Sequence, residues 1–126
     1  MLLLVVDDER PLLQLIGNVF RSDGWEVLLA DSGHDALRLL EDHPRPDAIV
    51  LDMAMPGMDG RTLFREIRDR GVQSPVLVLS AYGAQRAKEE LGADGFLDKP
   101  FDVDVLTDAV TRLTTGPRSD GASAPE

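Results

Sequence analysis

Cysteine is absent from the 126-residue chain, which removes disulfides, thiol catalysis and cysteine-based zinc sites. Basic residues are scarce: 13 Lys and Arg stand against 23 Asp and Glu, a formal charge of −10. A body this acidic lacks the basic surface that direct nucleic-acid binding needs. No apolar stretch approaches the length of a membrane span. The N-terminus has no basic segment ahead of its short apolar run, so it does not read as a signal peptide. No internal repeat is present. What remains is the composition of one globular domain, 43% hydrophobic and 29% charged, long enough to bury a proper core. The expected setting is the cytoplasm, with no membrane association.

Strand-like and helix-like segments alternate five times. The apolar run Leu2–Val6 predicts a strand buried on both faces. The helix after it is capped near Asp8 or Glu9 and tolerates Pro11 in its first turn. Leu12, Leu15, Ile16, Val19 and Phe20 have the spacing of its buried face. Asp23-Gly24 turns the chain into a second strand over about Trp25–Leu29. Ser32, with Asp35 three residues on, caps a second helix that buries Ala36, Leu37, Leu39 and Leu40. The HPRP segment ends it, and Ala48–Leu51 is the third strand.

A third helix is expected from about Arg61 to Arg70, capped by Asp59, burying Leu63, Phe64 and Ile67, with Gly71 as its C′ residue. Pro75 introduces the fourth strand, VLVLS. A short helix, AQRAKEEL, stops at Gly92, and the fifth strand is about Phe96–Leu97. The last helix begins at Asp102 and buries Val103, Leu106, Ala109, Val110 and Leu113. Such βα alternation means an α/β fold with a mainly parallel sheet and helices on both faces. Residues 1–115 are expected to form the domain. Residues 116–126, rich in Gly, Pro, Ser and Ala, read as a disordered tail or the start of a linker.

Parallel strands share one carboxyl edge, where ligand sites of open α/β folds lie. Asp7 and Asp8 end the first strand and Asp52 the third, so three carboxylates converge. Like charges held together call for a cation, and oxygen-only ligands with open positions suit a hard divalent ion such as Mg2+. One of these carboxylates could also serve as a nucleophile. Ser80 ends the fourth strand, and Lys99-Pro100 follows the fifth, flanking the same pocket. Met55, Pro56 and Gly57 shape the loop after Asp52. Trp25, His34 and His43 carry no role at this edge, whereas Tyr82 is a candidate guard of the pocket mouth.

The pieces VVDDE, LDMAMPGMDG, LVLSAYG and GADGFLDKPF, in this order, make residues 1–115 resemble the receiver domain of two-component response regulators, chemotaxis regulators among them. The resemblance implies a flavodoxin-like (βα)5 fold: a doubly wound five-stranded parallel sheet of order 2-1-3-4-5, for which the chemotaxis regulator is a known example. It implies that Asp52 is the phosphoacceptor, served by a sensor histidine kinase, a phosphotransfer protein or a small phosphodonor. Asp8, Asp52 and the backbone carbonyl of Ala54 would bind Mg2+, with Asp7 holding the metal's waters. Lys99 and the Ser80 hydroxyl would contact the phosphoryl oxygens. Ser80 and Phe96 would form the switch.

Pro56, Gly60 and Pro100 would be structural, the Lys99–Pro100 bond being cis. The protein would be a switch rather than a turnover enzyme, signalling to a downstream partner or a fused output domain, with a phosphorylation-dependent dimer as a further option. One departure from the family pattern stands out. The segment between Ser80 and Gly92 is about one helical turn short, so the fourth helix should be short or partly irregular. Three other classes are weaker. A haloacid-dehalogenase-like phosphatase needs an acid where Ala54 stands. A flavodoxin-like electron carrier cradles phosphate after its first strand, where DDER would repel it. A pseudo-receiver, the alternative reading as a phosphorylation-independent binding module, would normally have lost Asp52, Asp8 or Lys99.

Overall fold

The computed structural model describes residues 1–115. Five strands and five helices alternate along the chain: β1 (Leu2–Val6), α1 (Arg10–Ser22), β2 (Glu26–Ala30), α2 (Gly33–Asp42), β3 (Ala48–Asp52), α3 (Gly60–Asp69), β4 (Val76–Ser80), α4 (Ala84–Leu91), β5 (Gly95–Asp98) and α5 (Val103–Thr115). The strands form one parallel sheet in the order β2-β1-β3-β4-β5. Each parallel step needs a crossover, and a helix supplies it every time. The tail, 116–126, lies outside the described residues.

The central strands are apolar throughout because both sheet faces are covered. Leu3, Val5, Val50, Leu77 and Leu79 pack with Leu13, Ile16 and Phe20 of α1 and with Leu106 and Val110 of α5. Leu4, Val6, Ile49, Leu51, Val76 and Val78 pack on the other face with α2, α3 and α4, through Leu37, Leu40, Leu63, Phe64, Ile67 and Ala87. Trp25 is spent on packing, its ring edge-on to Phe20 at 5.3 Å.

The caps follow side-chain chemistry. Ser32 Oγ accepts the Asp35 N–H at 3.1 Å, and Asp59 Oδ1 accepts the Thr62 N–H at 2.9 Å, each satisfying an orphan donor of the first turn. Gly71 (φ +84°) and Gly92 (φ +74°) close α3 and α4 in the left-handed region, as their sequence positions suggest. The fourth helix is short, eight residues, and regular.

Three expectations need correction. The buried stripe of α1 is Leu13, Ile16, Gly17 and Phe20, whereas Leu15 is 47% exposed and Leu12 half-buried. Both stripes have helical spacing. The choice falls to Gly17, which lets α1 settle against Leu29: a Cβ at Gly17 would lie 3.2 Å from a Leu29 methyl. Glu9 does take the N-cap position of α1, but its side chain makes no capping bond; its N–H is instead taken by Asp7 Oδ1 at 2.9 Å. The second strand is set one residue later, at Glu26–Ala30, because Trp25 is held back by its N–H bond to the Phe20 carbonyl.

Candidate functional site

The order in which strands are added to the sheet reverses between β1 and β3, and the residues at their carboxyl ends are acidic. Asp7 extends β1 by one step, its N–H donating to the Ala30 carbonyl at 3.1 Å. Asp52 is the last residue of β3 and sits in register with Leu79 of β4. Both are enclosed, Asp7 at 0% and Asp52 at 2% exposure. Asp8 points to the surface. Oxygens of Asp7, Asp8 and Asp52 lie within 4.8 Å of one another. Two strand ends separated by 45 positions in sequence thus meet at the crevice where such folds bind ligands.

Lys99 enters from β5. Its N–H donates to the Ser80 carbonyl at 2.8 Å, which extends the β4–β5 ladder past Asp98, and the bond to Pro100 is cis. From there the ammonium lies 2.9 Å from Asp7 Oδ2 and 3.5 Å from both Asp52 Oδ1 and Glu9 Oε1. One cation therefore serves three carboxylates. Asp7 Oδ2 is wholly buried and its contact with Lys99 is not aligned as a hydrogen bond, so this oxygen keeps unused acceptor capacity.

The electrostatics carry the mark of that imbalance. Burial, then the Asp7 carboxylate, push the Asp52 pKa up to about 6, against the pull of Lys99 and of the Ala54 N–H, which lies 3.4 Å from Asp52 Oδ1. Burial alone would lower the Lys99 pKa, but contact with Asp7 and the charges of Asp7, Asp52 and Glu9 outweigh it, so the ammonium is held more firmly protonated than usual. Incompletely compensated negative charge, all-oxygen donors and a buried Asp7 oxygen with acceptor capacity to spare are what a hard divalent cation would satisfy. The residues present fit such an ion.

The loop after Asp52 is shaped by close approach. Gly60 donates its N–H to the Met53 carbonyl at 3.1 Å. A Cβ there would stand 2.4 Å from the Asp52 carbonyl oxygen and 2.6 Å from Met53 Cα, so only glycine lets α3 start against the strand end. Gly57, at φ +77°, makes the turn, and Pro56 is exposed beside it.

Not every sequence candidate faces the acids. Ser80 is buried at the end of β4, but its hydroxyl donates to the Tyr82 carbonyl at 2.6 Å and accepts the Tyr82 N–H at 3.2 Å. Phe96 is half-buried on the face shared with α2, α3 and α4. Tyr82 is 91% exposed. One residue escaped the reading of the sequence: Glu9, beside Lys99. The signal was its place directly after two acids, in a turn that leads into α1.

An all-parallel doubly wound sheet with a buried carboxylate, two acidic neighbours and a lysine at its switch point defines a class of α/β signalling and ligand-binding domains. Residues 3–111 match the family model of the response regulator receiver domain. The chain belongs to this family, the receiver domains of two-component response regulators. It is 38% identical, over 97% of its length, to the response regulator MprA of Mycolicibacterium vanbaalenii, of which it covers 55%. It is 34% identical to sporulation initiation phosphotransferase F of Bacillus subtilis, covering 90% of that protein and 87% of itself. The receiver domain of the Francisella response regulator 1452 superposes with a TM-score of 0.79 at 34% identity, over 90% of this chain and 95% of that one. The chain spans about half the length of the MprA relatives it matches.

Proposed function

We propose that Asp52 is a phosphoacceptor and that its phosphorylation switches this domain's output surface. The observation that carries the reading is the placement of a buried, solvent-poor carboxylate 3.5 Å from a lysine and within 4.8 Å of two further acids. An Asp52 oxygen attacks phosphorus, the bond from phosphorus to the donor's nitrogen or oxygen breaks, and the donor leaves with that electron pair. The product is an acyl phosphate on Asp52. Lys99, already fully charged, moves its ammonium from Asp7 toward a phosphoryl oxygen. Asp8, Asp52 and the Ala54 carbonyl would hold Mg2+, with Asp7 behind them. When bound, the ion neutralises phosphoryl charge and orients the group.

Ser80 must give up its bond to the Tyr82 carbonyl to reach a phosphoryl oxygen. That exchange pulls on the loop leading to α4, and with Phe96 on the same face it is the proposed route to the output surface. The donor is a sensor histidine kinase or a phosphotransfer protein, in the cytoplasm. The recipient is a partner protein or an output domain, consistent with regulators such as MprA being about twice this length. The chemistry is a switch, self-phosphorylation and autodephosphorylation, not turnover of a substrate. Intact mass after incubation with Mg2+ and acetyl phosphate tests the reading. One phosphoryl adduct, lost in Asp52→Asn and in chelator, is expected. No adduct, together with no beryllofluoride binding, would make the domain a phosphorylation-independent binding module.

A further inference from the structure

Glu9 is drawn to the same cation as the phosphoacceptor, yet it sits outside the buried trio. Its Oε1 lies 3.5 Å from Lys99 Nζ, while its side chain is 61% exposed. Its backbone N–H is pinned by Asp7 Oδ1 at 2.9 Å, so the side chain starts from a fixed point at the head of α1. Glu9 also borders a crevice of about 420 Å3 beside Lys99, whose other walls are Leu12, Ala81, Pro100 and Phe101. Among these lining residues Lys99 is the one cation and Glu9 the one acid. The next cation along α1, Arg10, does not relieve the mouth, since its guanidinium is turned to Asp31 at 2.8 Å.

We propose that Glu9 is a specificity-determining positioning residue for phosphorylation: it holds Lys99 toward the rim and adds a charge to the mouth, which disfavours small dianionic phosphodonors. The proposal rests on the phosphoacceptor reading of Asp52. A donor such as acetyl phosphate must approach through a mouth bearing Asp8 and Glu9 and find a lysine already shared among three acids. A phosphoryl group carried on a protein meets the same repulsion, but the contacts made by the carrier's surface offset it. In the reaction itself the balance is unchanged: Asp52 gains the phosphoryl group and acetate departs with the electron pair of the broken P–O bond.

Removing one charge about 8 Å from a dianion in a water-like dielectric raises its local concentration roughly fivefold. The test is the rate of Asp52 phosphorylation at fixed Mg2+ in the wild-type chain, Glu9→Gln, Glu9→Asp and Glu26→Gln, the last an exposed acid at the opposite edge of the sheet. Acetyl phosphate and the less negative phosphoramidate serve as donors, each at low and high salt. The Lys99 side-chain 15N resonance of the metal-free proteins gives a readout independent of the reaction.

Glu9→Gln is expected to react about fivefold faster with acetyl phosphate at low salt, less so with phosphoramidate, the gain fading as salt screens the charge. Glu9→Asp should return toward the wild-type rate, and the Lys99 resonance should move in Glu9→Gln but not in Glu26→Gln. Equal rates in Glu9→Gln and wild type, or one factor for both donors at all salt concentrations, or an unmoved Lys99 resonance, would overturn the proposal while leaving Asp52 as acceptor. A wild-type chain that takes no phosphoryl group from either donor would overturn both.

Discussion

Asp52 combines two demands that oppose each other. It must be buried to be shielded from water, yet it shares its enclosure with Asp7 and has only part of one lysine as compensation. The raised pKa, about 6, is the measure of that conflict in the metal-free protein. Asn has nearly the same shape and no charge to desolvate. Asp52→Asn is therefore expected to stabilise the metal-free domain at pH 7.5 by about 1–3 kcal/mol. Thermal unfolding in chelator checks this, and a lower melting temperature for the variant would contradict the proposed strain. Gly60 carries a different constraint. Gly60→Ala drives a methyl into the Asp52 carbonyl and the Met53 backbone, neither of which can retreat without moving β3 or α3. A loss of about 1–3 kcal/mol is expected, measurable by urea denaturation.

At the scale of the element, α3 begins with a cap that depends on charge. The Thr62 N–H bond to Asp59 holds this carboxyl below its ordinary value of 3.8. A folded pKa below the unfolded one means that the contribution is fully present above about pH 4–5 and lost as pH falls through the lowered value. Asp59→Ala should cost about 1 kcal/mol at pH 7. The difference from wild type should narrow in acid below pH 4, as followed by chemical denaturation across pH. The helix α4 is the opposite case. It buries only Ala84 and Ala87, starts and ends on left-handed glycines, and is tied to α3 by an exposed pair of Glu90 with Arg61, Glu90 also pairing with Arg86 within α4 itself. Such pairs contribute little, and eight residues make a marginal helix without packing. Amide hydrogen exchange should therefore be faster in α4 than in α3 or in the strands, because local opening there exposes little apolar surface. Protection in α4 equal to that of β4 would refute the argument.

For the whole molecule, charge is the dominant theme. A formal −10 on 126 residues opposes compaction by self-repulsion, which monovalent salt screens. Raising NaCl should lift the melting temperature modestly. Mg2+ at the same ionic strength should lift it further, since an ion bound only by the folded acid cluster adds about 2.7 kcal/mol at a hundred times its Kd. Asp8→Asn should abolish that extra increment and leave the NaCl effect intact. Calorimetry in matched ionic strength separates the two, and equal effects of Mg2+ and NaCl would deny the cluster a metal.

The five βα units, the three acids on strand ends, the caps at Ser32 and Asp59 and the short α4 were legible in the chain because each depends on local pattern. Alternation of apolar runs, turn residues and cap residues acts over a few positions, and the covalent order of strand and helix then limits the sheet. What depended on through-space contact was decided by the tertiary structure. Leu13 rather than Leu15 faces the core because Gly17 lies against Leu29, a contact between elements that periodicity cannot rank. Lys99 reaches Asp7 more closely than Asp52, and Glu9 joins them, because residues 90 positions apart share one crevice. The Ser80 hydroxyl serves Tyr82 rather than the acids because a rotating side chain takes the nearest satisfied geometry. Local chemistry thus determined which residues stand at the edge of the sheet, and packing decided which of them touch.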